Sequence, residues 1–415
     1  MDLHKDKLLF TPGPLTTSSS VKEAMLRDLG SRDIEFIGVV REIRRNLLEV
    51  GGVVDGGYEA VLMQGSGTFA VESVVSSAVP AQGKLLVLIN GAYGERIAQI
   101  ASVLRISVET LRYETDTIPK AADVEAVLAR DTKITHVAIV HCETTTGIIN
   151  RVQEVGTVVK RYGRVYLVDA MSSFGAIPMN LGDWGIDFLV SSANKCIEGV
   201  PGFGFALARR ETLLACEGQS RSLSLDLFAQ WRGLETNGQF RFTPPTHTLL
   251  AFRQALRELK EEGGIEARAA RYHANYETLV AGMREIGFHE YLRPRDQGYI
   301  ITSFHYPDHP RFRFDEFYER LNRKGYVIYP GKLSGAQCFR IGNIGRIGQK
   351  DVRNLLSAIK ETLEEMQITL SPVRPARPDT AGPAADSSCL IAGGEAPAHS
   401  GRRAARGRAH FQKET

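Results

Sequence analysis

The 415-residue chain is 43% hydrophobic and 24% charged, an ordinary globular composition, and it is longer than the about 250–300 residues that one core supports, so two domains are expected. Its formal net charge of +3 comes from the stretch after Leu370. There Arg374, Arg377, Arg402, Arg403, Arg406, Arg408 and Lys413 outnumber Asp379, Asp386, Glu395 and Glu414, which leaves the body neutral and without a charge footprint for nucleic acid.

No apolar run is long enough to cross a bilayer, and the opening MDLHKDKLLF lacks a signal-peptide core. The scattered Cys142, Cys196, Cys216, Cys338 and Cys389 form no CxxC pair, which argues against a disulfide framework or a structural zinc. A cytoplasmic protein without membrane, metal or nucleic-acid partners is expected.

Along the first half, short apolar, β-branched runs (EAVLMQ, KLLVLIN, RISVETL, ITHVAIVH, RVYLVDA, DFLVSS, FGFALA) alternate with segments of helical spacing such as GERIAQIASVL, AADVEAVLAR and VQEVGTVVKRYG. This alternation predicts an α/β fold: a mainly parallel, seven-stranded sheet between helices. After Arg210 a long helical pattern, THTLLAFRQALRELKEEGGIEARAARYHANYETLVAGMREIG, is interrupted at its EGG. YIITSFHYP, FDEFYERLNRKG, YVIYPG, CFRIGNIG and a helix from Gln349 then read as a smaller α+β domain. The expected division is an N-terminal segment over 1–20, a large domain over 21–265, a small domain over 266–368 and a tail over 369–415 too poor in apolar residues to fold.

Three local features carry chemistry. In EAVLMQGSGTFAVE a strand runs through Gly65-Ser66-Gly67-Thr68 into a helix, a turn suited to cradling phosphate with backbone N–H groups and hydroxyls. Gly65, Gly67 and Ala70 also fit G-x-G-x-x-A, but that fingerprint needs an acid at the end of the next strand, where Asn90 stands. Asp169 closes the run RVYLVDA, where open α/β sheets place ligand sites. Lys195 follows DFLVSS and precedes the glycine-rich EGVPGFG. Taken singly, these are a helix cap, a turn residue and a solvated lysine. Together they are what pyridoxal 5′-phosphate requires: an amine for its aldehyde, a carboxylate for its ring nitrogen and a cup for its phosphate.

With those residues in place, the chain resembles the class V aminotransferases of the fold type I pyridoxal-phosphate enzymes over roughly Leu8 to Gln367. LFTPGPLTTS, QGSGTFAVE, NGAYGERIAQIA, HCETTTGIIN, VYLVDAMSSFGAIP and SSANKCIEGVPGFG follow in the family's order. The resemblance implies an N-terminal segment near the active site, and Lys195 and Asp169 as the catalytic pair. It further implies phosphate contacts from Ser66, Gly67 and Thr68 with Asn194 beside them, a ring stacked on Tyr93, and Thr145 at the ring's phenolic oxygen. Arg340 would take the substrate anion, and Thr243 would reach the cofactor of a neighbouring subunit in a homodimer.

GSRDIEF, TPPTHTLLAFRQAL and CFRIGNIG are similar to the members acting on 2-aminoethylphosphonate and pyruvate in phosphonate catabolism, with Arg32 a candidate second anion contact. The alternative is a member acting on alanine or serine with glyoxylate or pyruvate.

Overall fold

The computed structural model describes residues 6–331 and 336–373. Seven strands form one sheet in the order Tyr58–Gln64, Phe203–Arg209, Phe188–Ser192, Val165–Asp169, Ile134–Val140, Lys84–Ile89, Ser107–Arg112. All neighbours run parallel except Phe203–Arg209, which is antiparallel to both strands beside it. The ten residues between Ser192 and Phe203 are too few for a parallel crossover, so the chain returns antiparallel and leaves Lys195 in the connecting loop.

The central strands are almost wholly buried, the condition for continuous apolar runs in a sheet covered on both faces. Helices Gly67–Ala78, Ala92–Val103, Ala121–Arg130 and Val152–Arg161 supply much of that cover. From Lys84–Ile89 the chain adds Ser107–Arg112 on one side and then Ile134–Val140 on the other. Strand order therefore reverses here, and a crevice opens at the carboxyl ends of the strands.

A second apolar cluster gathers around a three-stranded antiparallel sheet, Ile301–His305, Cys338–Gly342 and Tyr329–Pro330, and helices Gly264–Ile286, Phe314–Arg323 and Gln349–Glu365. Gly263, at φ +111°, ends helix Thr246–Glu262, and Gly287, at φ +115°, ends helix Gly264–Ile286, both in the left-handed conformation that glycine tolerates. The N-terminal arm joins this region: Leu8–Leu9 pairs with Tyr326–Val327 and Phe10 is buried in the cluster. Gly342 N–H then donates to Phe10 and Arg346 N–H to Thr16, so the arm crosses above the strand that carries Arg340.

Of the expected tail, Leu370 packs on the second cluster and Val373 N–H donates to the Arg284 carbonyl; residues 374–415 lie outside the described residues. Among the described residues no helix is long and apolar enough to cross a membrane.

Candidate active site

A cleft of about 180 Å³ opens at the carboxyl ends of the parallel strands, where open α/β sheets place their ligands. It brings together Ser66, Gly67, Thr68, Tyr93, Asp169, Asn194 and Lys195, residues that span much of the sequence.

Lys195 Nζ donates to the carbonyl of Pro12 at 2.6 Å. Gly13 permits this approach, because a Cβ there would lie 2.7 Å from Lys195 Cδ. The lysine loop is anchored from behind. Glu198 adopts φ +65°, and its N–H donates to the Lys195 carbonyl at 2.7 Å; its buried carboxylate accepts from Arg271 at 2.7 Å and from the Tyr272 hydroxyl at 2.5 Å.

Arg268, fully buried, donates to the Cys196 carbonyl at 2.6 Å and pairs with Glu262 at 2.7 Å. Arg271 also donates to the carbonyls of Gly345 and Ile347, and Tyr272 accepts from Gly345 N–H. One face of helix Gly264–Ile286 therefore holds the lysine loop and the segment just after Arg340 together.

Asp169 sits at the end of its strand, 7% exposed, with Oδ1 accepting from Met171 N–H at 2.9 Å. Burial pushes its carboxyl up to about 6; the backbone bond from Met171 opposes this, while the nearby Glu143 adds to it. At the cup, Gly65 takes φ +102° and Ser66 begins the helix with no side-chain cap bond, so the helix opens on N–H groups without a side-chain acceptor. Gly67 has no room for a Cβ, which would lie 2.3 Å from Met171 Sδ.

Three expected residues do not line this cleft. Thr145 is buried behind it, its hydroxyl donating to Glu143 at 2.6 Å. Arg340, also buried, donates from Nη1 to the Thr144 carbonyl at 2.9 Å and from Nε to Pro330 at 3.0 Å; burial pushes its pKa down. Thr243 is exposed, its carbonyl 3.5 Å from Gln64 Nε2. Arg32 is exposed as well and does not line the cleft.

The structure adds Arg96 and Glu143, which sequence reasoning passed over. Arg96 lines the cleft, lies over the Tyr93 ring with its guanidinium carbon 4.9 Å from the centroid, and reaches Thr68 Oγ1 at 3.3 Å. Its i+3 spacing from Tyr93 in a helix opening on the cleft was the available signal. Glu143 accepts from Tyr93 N–H and from Thr145. It stands in HCETTTG, two residues from a threonine that drew attention, and only its burial reveals it.

A sheet with this strand order, a lysine in the loop after an inner strand and an aspartate ending the strand beside it define an aminotransferase-type site. The sequence profile of the family described as aminotransferase class-V matches residues 17–338, and the chain belongs to that family. Among curated relatives, a 2-aminoethylphosphonate–pyruvate transaminase of Salmonella dublin is 52% identical over 361 residues, 86% of this chain and 98% of the relative. One from Vibrio vulnificus (strain CMCP6) is 52% identical over 363 residues, 87% and 99% of the two chains. Among solved structures, ureidoglycine-glyoxylate aminotransferase from Bacillus subtilis superposes with a TM-score of 0.81 at 21% identity, over 89% of this chain and 96% of that one. Alanine–glyoxylate aminotransferase from Nostoc sp. gives 0.81 at 24%, over 88% and 97%. At these identities the structural likeness establishes the fold.

Proposed function

We propose that this chain is a homodimeric transaminase that uses pyridoxal 5′-phosphate to move the amino group of 2-aminoethylphosphonate to pyruvate, giving phosphonoacetaldehyde and L-alanine. The observation that carries the reading is the convergence of Lys195, Asp169 and the Ser66–Thr68 turn on one cleft, in a chain 52% identical to relatives bearing that name.

The residues fit the cofactor on their own chemistry. The helix-opening turn with two hydroxyls suits a phosphate. A buried carboxyl pushed up to about 6 is short of a counter-charge, which a protonated ring nitrogen provides. When bound, the cofactor supplies a ring that accepts electrons from the substrate carbon bearing nitrogen.

The protein's part follows from its side chains. Lys195 is the amine that holds the cofactor's aldehyde and, once released, carries a proton from that carbon and returns one. The Pro12 carbonyl orients its Nζ. Asp169 would keep a proton on the ring nitrogen, Ser66, Gly67, Thr68 and Asn194 would hold the phosphate end and Tyr93 would cover the ring, while Thr145, expected at the phenolic oxygen, braces the site from behind the cleft through its bond to Glu143. Arg340 sits just behind the cleft with Nε and Nη1 fixed by backbone carbonyls, and its guanidinium would serve pyruvate's carboxylate and the phosphonate in turn from there.

The homodimer is supported by exposed apolar side chains around the cup. Phe69, beside Gly65, is 51% exposed; Gln64 bonds the carbonyl of Phe242, and Arg241 that of Leu223, both side chains also exposed. Thr243 follows Phe242, placed to reach a neighbouring subunit's cofactor. The separate apolar cluster around Ile301–His305 supports a small domain over 266–368 beside the cofactor domain over 21–265. Buried free thiols at Cys142, Cys196, Cys216 and Cys338 support a cytoplasmic location.

The test is product formation. Purified protein with the cofactor, 2-aminoethylphosphonate and pyruvate is expected to yield phosphonoacetaldehyde and alanine faster than it turns over alanine or serine with glyoxylate. The reverse preference would assign it to the alanine/serine–glyoxylate or serine–pyruvate type.

A further inference from the structure

Glu143 is 0% exposed, a position at which a carboxylate is costly unless it is thoroughly hydrogen-bonded. Its neighbours are donors on two separate elements. Oε2 accepts from Tyr93 N–H at 3.1 Å; Oε1 accepts from Thr145 N–H at 3.2 Å and from the Thr145 hydroxyl at 2.6 Å. Gly94 N–H also favours the charged form of the carboxylate. Tyr93 and Gly94 open helix Ala92–Val103, whose N-cap position is Gly91, a residue with no side chain to cap it. A Cβ on Gly91 would lie 2.3 Å from both Cγ and Cδ of Glu143 and 2.6 Å from Thr145 Oγ1. The glutamate therefore occupies the place of the missing cap, reaching it from the short strand Cys142–Glu143. The turn it starts is closed by Gly147 N–H donating to its own carbonyl at 2.9 Å, and the next residue, Thr144, offers the carbonyl that holds Arg340.

We propose that Glu143 is the positioning residue of the cofactor site: it fixes the Tyr93 ring and the Thr145 hydroxyl relative to each other by drawing the first turn of helix Ala92–Val103 and the 143–146 turn onto one buried carboxylate. The inference rests on the cofactor reading above and explains two features of the sequence at once. A glycine stands at the cap because the cap comes from elsewhere, and a glutamate stands inside an otherwise small, hydroxyl-rich turn. Burial pushes the Glu143 carboxyl up, and the bonds from Thr145, Tyr93 and Gly94 oppose the shift. In Glu143→Gln the side chain keeps its shape, but its amide nitrogen must face one set of these N–H donors, so one of the two anchors is lost.

The experiment titrates pyridoxal 5′-phosphate into apoenzyme and records the dissociation constant and the visible circular dichroism of the bound chromophore for wild type, Glu143→Gln, Tyr93→Leu and the double variant. Wild-type protein that takes up no chromophore would sink the cofactor reading itself, a result separate from anything the variants do. With wild type binding, Glu143→Gln is expected to weaken binding about ten-fold and to diminish the dichroism, and in the Tyr93→Leu background it should add little further. Lowered thermal stability with wild-type affinity and dichroism would overturn the proposal, as would full additivity with Tyr93→Leu. If Glu143→Gln does not fold, Thr145→Ser and Thr145→Val decide. The serine keeps the hydroxyl bond to Glu143 and should retain the wild-type dichroism, the valine should lose it, and equal spectra for the two would contradict the inference.

Discussion

At the floor of the cleft and directly behind it, Asp169, Glu143 and Glu198 are each 7% exposed or less, and all three accept hydrogen bonds from within the same chain. At the rim, Phe69, Leu223 and Phe242 are 51%, 78% and 46% exposed, and Thr243 faces solvent. The floor is a closed account: buried charge is tolerated there because backbone N–H groups and arginines meet it. The rim keeps apolar surface in water that a second subunit would cover. Chemistry that depends on angstrom-level placement is thus given to groups one chain can fix alone, whereas the rim groups would act only in the proposed homodimer.

Four substitutions probe that division, from the deepest effect to the mildest. Lys195→Ala removes the amine itself; general-base assistance alone is worth about 10²–10⁴-fold, and the loss in turnover should reach or exceed that, together with loss of the covalent chromophore in the absorption spectrum. Arg340→Lys keeps the charge but not the fork, so kcat/KM for both substrates should fall by about ten- to a hundred-fold, with the resting spectrum unchanged. Unequal losses for the amine and the keto acid would break the idea that one arginine serves both.

Glu198→Gln leaves Arg268 and Arg271 without the buried one of the two carboxylates they share. It should cost about 1–3 kcal/mol of stability by denaturant titration and raise KM as the lysine loop loosens from the segment after Arg340. Thr243→Val at the rim should weaken cofactor retention only a few-fold, by about one hydrogen bond, and the change should vanish on dilution to monomer, which sedimentation at matched concentrations would reveal.

Asp169 adds a pH test with a definite sign. Its folded pKa of about 6 lies above the ordinary carboxyl value, so the apoenzyme binds that proton more tightly than the unfolded chain does. Its contribution to stability is present in acid and lost as pH rises from about 4 to about 6. His136 and His141, both pushed by burial down to about 4, act oppositely: they lose stability as pH falls from about 6.5 to about 4. The difference between Asp169→Asn and wild type cancels the histidines. The variant's melting temperature relative to wild type should therefore climb between pH 4 and 6 and level off above. A difference that stays flat through that window would remove the argument that this carboxylate awaits a counter-charge.

Much of the floor was legible in the sequence because its parts are local. Lys195 and Asp169 follow apolar runs, and the cup is a contiguous turn, so strand ends located them. The seven strands and the break at Gly263 were legible for the same reason.

What escaped depends on contacts between distant segments. Arg96 looks like any helix-surface arginine until Thr68 and Tyr93 are found beside it, and Glu143 becomes a cap only because Gly91 is empty. The antiparallel course of Phe203–Arg209 follows from a loop length, which the apolar pattern does not encode. Helix Ile34–Val50 and helix Leu227–Asn237 carry apolar faces that pack on the same core, yet neither stood out from the alternation. The residue types at Thr145 and Arg340 were readable; that both lie behind the cleft, braced through Glu143 and Thr144, was not.

The most direct test of the account is the absorption spectrum of cofactor-loaded protein before and after addition of 2-aminoethylphosphonate with no keto acid present. The account predicts a yellow protein whose visible band bleaches with this amine and recovers on adding pyruvate, while serine at the same concentration leaves the band nearly intact. A band that serine bleaches and 2-aminoethylphosphonate does not, or a protein that stays colourless with pyridoxal 5′-phosphate, would contradict it.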